Sequence, residues 1–133
     1  MSPFAYQRQQ RLLNASDYTQ VFDNVDAKIS HQYYLILARR PSDQSTARLG
    51  LIAAKKHLRK AVQRNAFKRI VRESFRHHQQ PLNGIHLIVM ARAGALQATP
   101  AELRKALDQA WPRLCKRLTS LQTETPAQSD GKP

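Results

Sequence analysis

Several residue types that commonly organise a folded chain are scarce among these 133 residues. A single cysteine, Cys115, excludes an intramolecular disulfide. No apolar run approaches the roughly 18 residues that a membrane-spanning helix requires. The first residues also lack the apolar core of a signal peptide. These absences favour a cytoplasmic protein that does not associate with membranes.

Acidic residues are scarce as well: nine Asp and Glu stand against 22 Lys and Arg, which gives a formal net charge of +13. The nine acids are scattered, and no two have the spacing of a carboxylate pair that holds Mg²⁺. The five histidines form no pair suited to metal-free ribonuclease chemistry. Cys115 has no ordered His or Asp context, which suits a small buried residue. The sequence therefore predicts no catalytic residue and no metal site made by the protein alone.

The positive charge is concentrated in residues 55–76, which hold nine Lys or Arg and one acid, Glu73. So dense a charge repels itself unless an anion neutralises it, and nucleic-acid phosphate fits this need best. The hydrophobic content of 41% and the charged content of 23% are ordinary for a folded protein. The length fits one domain with a modest core.

Hydrophobic periodicity and turn residues predict the element order α-β-β-β-α-β-α, a single-domain α+β sandwich with helices packed on a small sheet. The predicted elements are a helix from Leu12, a weak strand within 23–30, strands at 31–39, 48–54 and 85–91, a helix at 58–78 and a last helix after Thr99. We divide the chain into a basic N-terminal arm at 1–11, the domain at 12–121 and a disordered tail at 122–133.

The last helix has a clear start signal. Thr99 suits the N-cap, Pro100 the first helical position, and Glu102 completes a capping box. Pro112 lies inside the helix and predicts a kink. Trp111 is interpreted as a core anchor of this helix.

The basic helix at 58–78 has its cations at helical spacing. Arg64, Lys68, Arg72 and Arg76 recur every four residues and form one row, which Asn65 and Arg69 widen. The opposite face is predicted to bury Val62, Ala66, Phe67 and Ile70 against the sheet. Arginine offers a planar fork for bidentate phosphate contact, and its plane can stack on an unpaired base.

Two other interpretations of this helix are weaker. A solvated helix face normally mixes charges of both signs, whereas this helix has one acid among nine bases. A DNA-recognition helix normally belongs to an all-helical or zinc-bound module, and here the helix is set between strands with no metal-ligand pattern. RNA is therefore the favoured partner.

The run RLGLIAAKK at 48–56, followed by RKAVQRNAFKRIVRESFR at 59–76, resembles the hallmark region of the protein subunit of bacterial ribonuclease P. In that family a strand with a glycine and paired lysines leads into a helix with an Arg-Asn-Arg core, then Lys-Arg and a further Arg. The resemblance extends over roughly residues 11–120 in element order. One position departs from the pattern, because Ala66 stands where the second Arg of Arg-Asn-Arg is usual.

The resemblance implies an uncommon left-handed βαβ crossover, which general topology rules would not predict. It also implies that the chain is the non-catalytic protein component of an endoribonuclease, in which a catalytic RNA removes the 5′ leader of precursor tRNA. The expected partners are that RNA and precursor tRNA, with Mg²⁺ held mainly by the RNA and no obligate protein partner. The implied residues for binding the RNA subunit are Lys55, Lys56, Arg59, Lys60, Arg64, Asn65, Lys68, Arg69, Arg72 and Arg76.

The family also has a cleft between the first helix and the sheet that holds the single-stranded leader. By resemblance, Tyr18 and Phe22 match its helix positions, and Tyr33 or Tyr34 could line its strand side. Aromatic faces stack unpaired bases with little sequence preference, worth roughly 1–3 kcal/mol per base. The alternative for the helix residues is ordinary core packing, which we expect more for Phe22 than for Tyr18. Adjacent strand residues point to opposite faces, so either tyrosine could face the cleft.

Two alternative functions remain open from the sequence. A general RNA-binding or ribosome-associated protein would bind many RNAs equally. A free-standing ribonuclease would cleave without added RNA, which the scattered acids and histidines make the weaker hypothesis.

Overall fold

The element order of the protein is the one that the sequence predicts. The computed structural model describes residues 15–41 and 47–123. Its elements are α1 (Ala15–Asp23), β1 (Ala27–Ser30), β2 (Tyr34–Arg39), β3 (Arg48–Ile52), α2 (Ala61–Arg76), β4 (His86–Ala91), a short 3₁₀ helix (Ala93–Gln97) and α3 (Pro100–Thr123). The α+β class is confirmed, and the 3₁₀ helix is an addition that the sequence pattern did not indicate. The predicted arm at 1–11 lies outside the described residues.

The ends of the elements follow local hydrogen bonds. β2 begins at Tyr34 rather than at residue 31, because Tyr34 and His31 exchange backbone hydrogen bonds of 2.9 and 3.2 Å in a tight connection to β1. The predicted cap of α3 is confirmed: the Thr99 amide donates to Glu102 Oε1 at 2.9 Å, and the Glu102 amide donates to Thr99 Oγ1 at 3.1 Å. α3 is continuous past Pro112 and ends at Thr123, two residues into the segment predicted as a tail. The rest of that tail, 124–133, lies outside the described residues.

The four strands form one mixed sheet in the order β1-β2-β4-β3. β1 pairs antiparallel with β2, β2 pairs antiparallel with β4, and β3 pairs parallel with β4. A parallel pair of neighbours needs a crossover, which α2 provides between β3 and β4. The left-handed sense of that crossover, implied by the resemblance, stays a prediction.

Within residues 15–41 and 47–123, the two faces of the sheet are covered unequally. α2 and α3 pack on one face and enclose the main core, in which Phe75, Trp111 and Leu107 are fully buried. α1 covers the other face, where Val21 of the helix and Ile88 of β4 are fully buried. Trp111 is therefore the core anchor that the sequence predicts. None of the helices within the described ranges combines the length and apolar character needed to span a bilayer.

Candidate nucleic-acid interface

The side of α2 that packs on the sheet differs from the predicted one. Phe67, Val71, Ser74 and Phe75 are its buried residues. Val62 is 69% exposed, and Ala66 is exposed too, so their predicted burial is wrong. Phe67, Val71 and Phe75 recur every four residues and carry more apolar area than Val62 and Ala66, so they set the rotation of the helix.

This rotation changes which cations face outward. Asn65, Arg69 and Arg72 are exposed along the outer side of α2, whereas Arg64 and Lys68 lie at its flank and are half-buried. The chain just before the helix adds further exposed cations. We use "basic face" for this surface, which consists of Lys55, Lys56, Arg59, Lys60, Asn65, Arg69 and Arg72.

Arg64 supports the basic face from within. Its guanidinium donates to the backbone carbonyls of Leu58 at 3.0 Å and Arg59 at 2.8 Å. The Lys60 amide in turn donates to Gln63 Oε1 at 3.1 Å. These bonds fix the turn that leads into α2, so Arg64 positions Arg59 and Lys60 as well as contributing charge.

Arg76 is partly neutralised by its own helix. Its Nη2 atom lies 2.6 Å from Glu73 Oε2, and His77 Nε2 lies 3.5 Å from the same oxygen. The hydrogen bond from Arg76 holds the pKa of the Glu73 carboxyl below its usual value. Because Glu73 is the one acid in residues 55–76, the compensation falls at the C-terminal end of α2 and not on the basic face.

A buried polar contact that the sequence pattern did not indicate locks α2 to α3. Ser74 Oγ donates to Asp108 Oδ1 at 2.6 Å and accepts from Trp111 Nε1 at 2.7 Å. Arg104 Nε donates to the same carboxylate oxygen at 3.0 Å. A buried indole N–H needs an acceptor, and Ser74 supplies it. This contact holds α2 in the rotation that turns its cations outward.

On the other face of the sheet, Tyr18 lies against the edge strand β3. The Leu51 amide donates to the Tyr18 hydroxyl at 3.1 Å, so the side chain is fixed at the sheet edge. Val21, one turn on, is the fully buried residue of α1. Phe22 is 42% exposed, so our expectation that Phe22 would lie nearer to the core than Tyr18 is wrong.

Neither Tyr33 nor Tyr34 belongs to the cluster under α1. Tyr34 is 1% exposed on the α3 side, where its hydroxyl donates to the Ala106 carbonyl at 2.9 Å. Burial raises the pKa of Tyr34 to about 12. Tyr33 is half-buried against the main core, with its ring 4.6 Å from that of His31. The assignment of Tyr34 to the cleft is therefore corrected, because strand alternation sends its ring to the opposite side.

On the strand side of the predicted cleft, where Tyr33 or Tyr34 was expected, the side chains are aliphatic. Leu37 of β2, Ile52 of β3 and Met90 of β4 are partly buried around Val21 and Ile88, next to Tyr18. We use "α1 face" for this surface, which consists of Tyr18, Phe22, Leu37, Ile52 and Met90. The missed signal was the run YLILA in β2 (Tyr34–Arg39): its residues are apolar in both alternating sets, which is typical of a strand covered on both sides.

Other reactive groups show no catalytic arrangement in the described residues. Cys115 is half-buried, its Sγ lies 3.2 Å from the Pro81 carbonyl oxygen, and burial raises the pKa of its thiol. No group of three His, Cys, Asp or Glu in residues 15–41 and 47–123 is placed to hold a metal ion.

Fold and surfaces together define a small α+β domain with a cationic helix on one side of a mixed sheet and an apolar, partly covered face on the other. The family model described as Ribonuclease P matches residues 6–115 of this chain. The ribonuclease P protein component of a Marinomonas species is 44% identical over 117 residues, which cover 88% of each chain. That of Saccharophagus degradans is 44% identical over 123 residues, which cover 92% of this chain and 90% of the relative.

Solved structures agree on the fold. The RNase P protein of Staphylococcus aureus superposes with a TM-score of 0.72 at 23% identity, over 82% of this chain and 97% of that one. The RNase P protein of Thermotoga maritima in complex with 1-(4-fluorophenyl)-2-thiourea gives a TM-score of 0.64 at 25% identity, over 73% and 92%. The chain belongs to the ribonuclease P protein family, the protein part of an endoribonuclease whose catalysis resides in its RNA.

Proposed function

We propose that the two surfaces of this ribonuclease P subunit bind different RNAs. The basic face binds the catalytic RNA, and the α1 face binds the single-stranded 5′ leader of precursor tRNA. The observation that carries the proposal is the separation itself: the exposed cations of α2 and the apolar α1 face lie on opposite sides of one sheet. The protein thereby holds substrate against ribozyme and performs no chemistry of its own.

The basic face suits a structured RNA backbone. Arg69 and Arg72 are exposed on the outer side of α2, and Asn65 lies one turn before Arg69. Guanidinium groups can contact phosphates with two hydrogen bonds each. Lys68 at the flank and Arg64 at the base of the turn extend this charge. Arg76 contributes less, since Glu73 already neutralises part of it.

The α1 face suits unpaired bases of varied sequence. The ring of Tyr18 is fixed at β3, Phe22 on the same helix is 42% exposed, and the strands supply an aliphatic floor. Apolar and aromatic surfaces bind bases through their faces and do not require a particular sequence. Arg39 lies on the same side, where its Nη1 donates to Gln20 of α1 at 3.0 Å, and adds a cation for the leader backbone.

Mg²⁺ enters this proposal through the RNA. We propose that the RNA holds the ion and that the basic face, by lowering repulsion between the two RNAs, raises its occupancy at low Mg²⁺ concentration. Location in the cytoplasm stays a prediction.

Cleavage of precursor tRNA at low Mg²⁺ tests the proposal, with the purified protein, purified bacterial ribonuclease P RNA, and both together. We expect cleavage at the mature 5′ end only when both are present. Cleavage by the protein alone would move the chemistry onto the protein. Binding without stimulation of cleavage would indicate a general RNA-binding protein.

A further inference from the structure

A small groove beside the basic face belongs to neither of the two surfaces just assigned. It has a volume of about 170 Å³ and lies where the first half of α2, the 3₁₀ helix and the start of α3 meet. Its lining is mainly apolar and includes Leu58, Ala66, Ile70, Leu96 and Leu103. Leu96 is 47% exposed, so its side chain is accessible to a ligand at the groove.

The identity of residue 66 keeps the groove open. Ala66 is exposed on α2 and contributes one methyl group to the groove wall. A longer apolar side chain at this position would take up part of the groove. The groove therefore depends on the small side chain of Ala66 and on the rotation of α2 described above.

The charge around the groove favours an anionic occupant with an apolar part. Arg59 and Lys60, both exposed, follow directly after the lining residue Leu58, and the Lys60 amide donates to the lining residue Gln63 at 3.1 Å. At the start of α3 the Glu102 carboxylate accepts a hydrogen bond from the Thr99 amide and caps the helix. An apolar peptide could pack against the apolar lining of the groove, but it would not neutralise these cations.

We propose that the groove receives one unpaired nucleobase of the RNA that the basic face binds. Pockets for drug-sized ligands have volumes of roughly 300–1,000 Å³, so a groove about half that minimum suits a single ring system and not a larger ligand. The base enters with its faces against Leu58, Ile70 and Leu103, while its phosphate stays outside against Arg59 or Lys60. Unpaired bases of structured RNAs are commonly recognised in this splayed-out form.

This inference deepens the proposed function and rests on it for the identity of the RNA, but its first test does not need that RNA. The probe is adenosine 5′-monophosphate, titrated to millimolar concentration into the full-length protein with ¹³C-labelled methyl groups, observed by NMR. Ribose 5-phosphate is the control ligand, since it carries the phosphate and sugar without a base. We expect the methyl resonances of Leu96 and Leu103 to shift with the nucleotide and not with ribose 5-phosphate.

Two matched variants locate the site. Ala66→Leu adds three carbons at the groove mouth, and we expect it to weaken nucleotide binding by roughly fivefold or more, the lower end of what one bound base contributes. Ala61→Leu makes the same change at an exposed position of α2 outside the lining, and we expect it to leave binding unchanged.

Several outcomes would overturn the proposal. They are equal shifts with ribose 5-phosphate, shifts confined to the α1 face, no shifts at all, or equal loss in both variants. The cleavage experiment above can fail while the nucleotide still enters the groove, and the reverse also holds. Failure of the proposed function and failure of the groove assignment are therefore distinguishable.

Discussion

The two sides of the sheet show how one set of strands can serve both stability and binding. On the α2 and α3 side, large side chains such as Phe75 and Trp111 are fully buried, and the Ser74–Asp108 hydrogen bond joins the two helices. On the other side α1 covers the strands, and its Val21 is fully buried against Ile88 of β4. The first side forms a core, and the second leaves apolar surface partly open.

The described helices cover the two sides to different extents. α2 and α3 have 16 and 24 residues, and α1 has nine within the described part of the chain, where it starts at the first described residue. Strand β2 has apolar residues in both of its alternating sets, buried toward the long helices and half-buried toward α1. An apolar sheet face that the described residues cover only in part is suited to binding, and the larger buried core on the other side supplies more of the stability.

The largest effect should be a difference in stability between the two sides. Trp111→Ala should lower the free energy of unfolding by about 3–5 kcal/mol, because it leaves a large cavity and removes the N–H donor to Ser74. Val21→Ala on the α1 side should lower it by only about 1–2 kcal/mol, the transfer free energy of two carbons. Urea unfolding followed by circular dichroism measures both. Val71→Ala removes the same two carbons from the main core as Val21→Ala removes from the α1 side, so equal losses for these two valines would mean that the α1 side is as much a core as the other.

The next effect concerns assembly with the catalytic RNA. Replacing Arg69 and Arg72 by Ala should cost roughly 3 kcal/mol of binding, two charge-assisted contacts at the low end of their range. The slope of log affinity against log salt should flatten by roughly 0.7–0.9 per lost phosphate contact. Filter binding at several salt concentrations measures both quantities. Arg76→Ala is the comparison for each single variant: its loss should be smaller than that of Arg69→Ala or Arg72→Ala alone, because Glu73 neutralises part of the charge of Arg76. An unchanged slope in the double variant would remove the basic face from the interface.

A third effect should separate precursor from mature tRNA. Tyr18→Ala should weaken binding of precursor tRNA to the assembled complex by about 1–3 kcal/mol, the contribution of one stacked base. Binding of mature tRNA and assembly with the RNA should stay unchanged. Tyr18→Phe keeps the ring and loses only the hydrogen bond from Leu51, so it should retain most of the affinity. An equal loss for mature tRNA would contradict leader binding at the α1 face.

The smallest effect is a pH dependence of the free energy of unfolding, caused by Tyr34 on the α2 and α3 side. In the folded protein Tyr34 has a pKa of about 12 against an ordinary 10.0, because burial disfavours the phenolate. A folded-state pKa raised in this way gives stability that is complete below pH 10 and is lost as the pH rises toward 12. Tyr34→Phe removes the hydroxyl and its bond to Ala106, so the wild type should be about 1 kcal/mol more stable at pH 8.

The control for this effect is the difference in the free energy of unfolding between wild type and Tyr34→Phe, measured from pH 8 to 11.5. It should shrink as the pH rises through this range, because only the wild type has a phenol to ionise. Lysines titrate in both proteins and cancel in the difference. A constant difference across this range would show that Tyr34 is not buried as described.

The order of elements was predictable because periodicity and capping residues are local signals, as Thr99 and Glu102 show at the start of α3. The rotation of α2 was not, since Val62, Ala66 and Ile70 recur every four residues, as the buried Phe67, Val71 and Phe75 do, and offer a second apolar side. What decides the rotation is the combined packing of Phe67, Val71 and Phe75 with the bond from Ser74 to Asp108, which joins residues far apart in the chain.

For the same reason the cationic residues of the site could be named from sequence, but not their individual roles. In the sequence, nothing distinguishes Arg64 and Arg76 from Arg69 and Arg72. In the structure, Arg64 donates to backbone carbonyls and Arg76 pairs with Glu73. Likewise, Tyr33 and Tyr34 are neighbours in the sequence. The hydrogen bond from the Tyr34 hydroxyl to Ala106 shows that Tyr34 faces α3. Such roles depend on tertiary contacts that no local pattern records.

The most direct test of the account is to find which RNA each surface touches in the assembled complex. A photo-crosslinking amino acid would replace Phe22 on the α1 face in one variant and Arg69 on the basic face in another, with the catalytic RNA and precursor tRNA labelled differently. We expect position 22 to crosslink to the 5′ leader and position 69 to the catalytic RNA. Crosslinks from both positions to the same RNA, or with the partners exchanged, would contradict the division between the two surfaces.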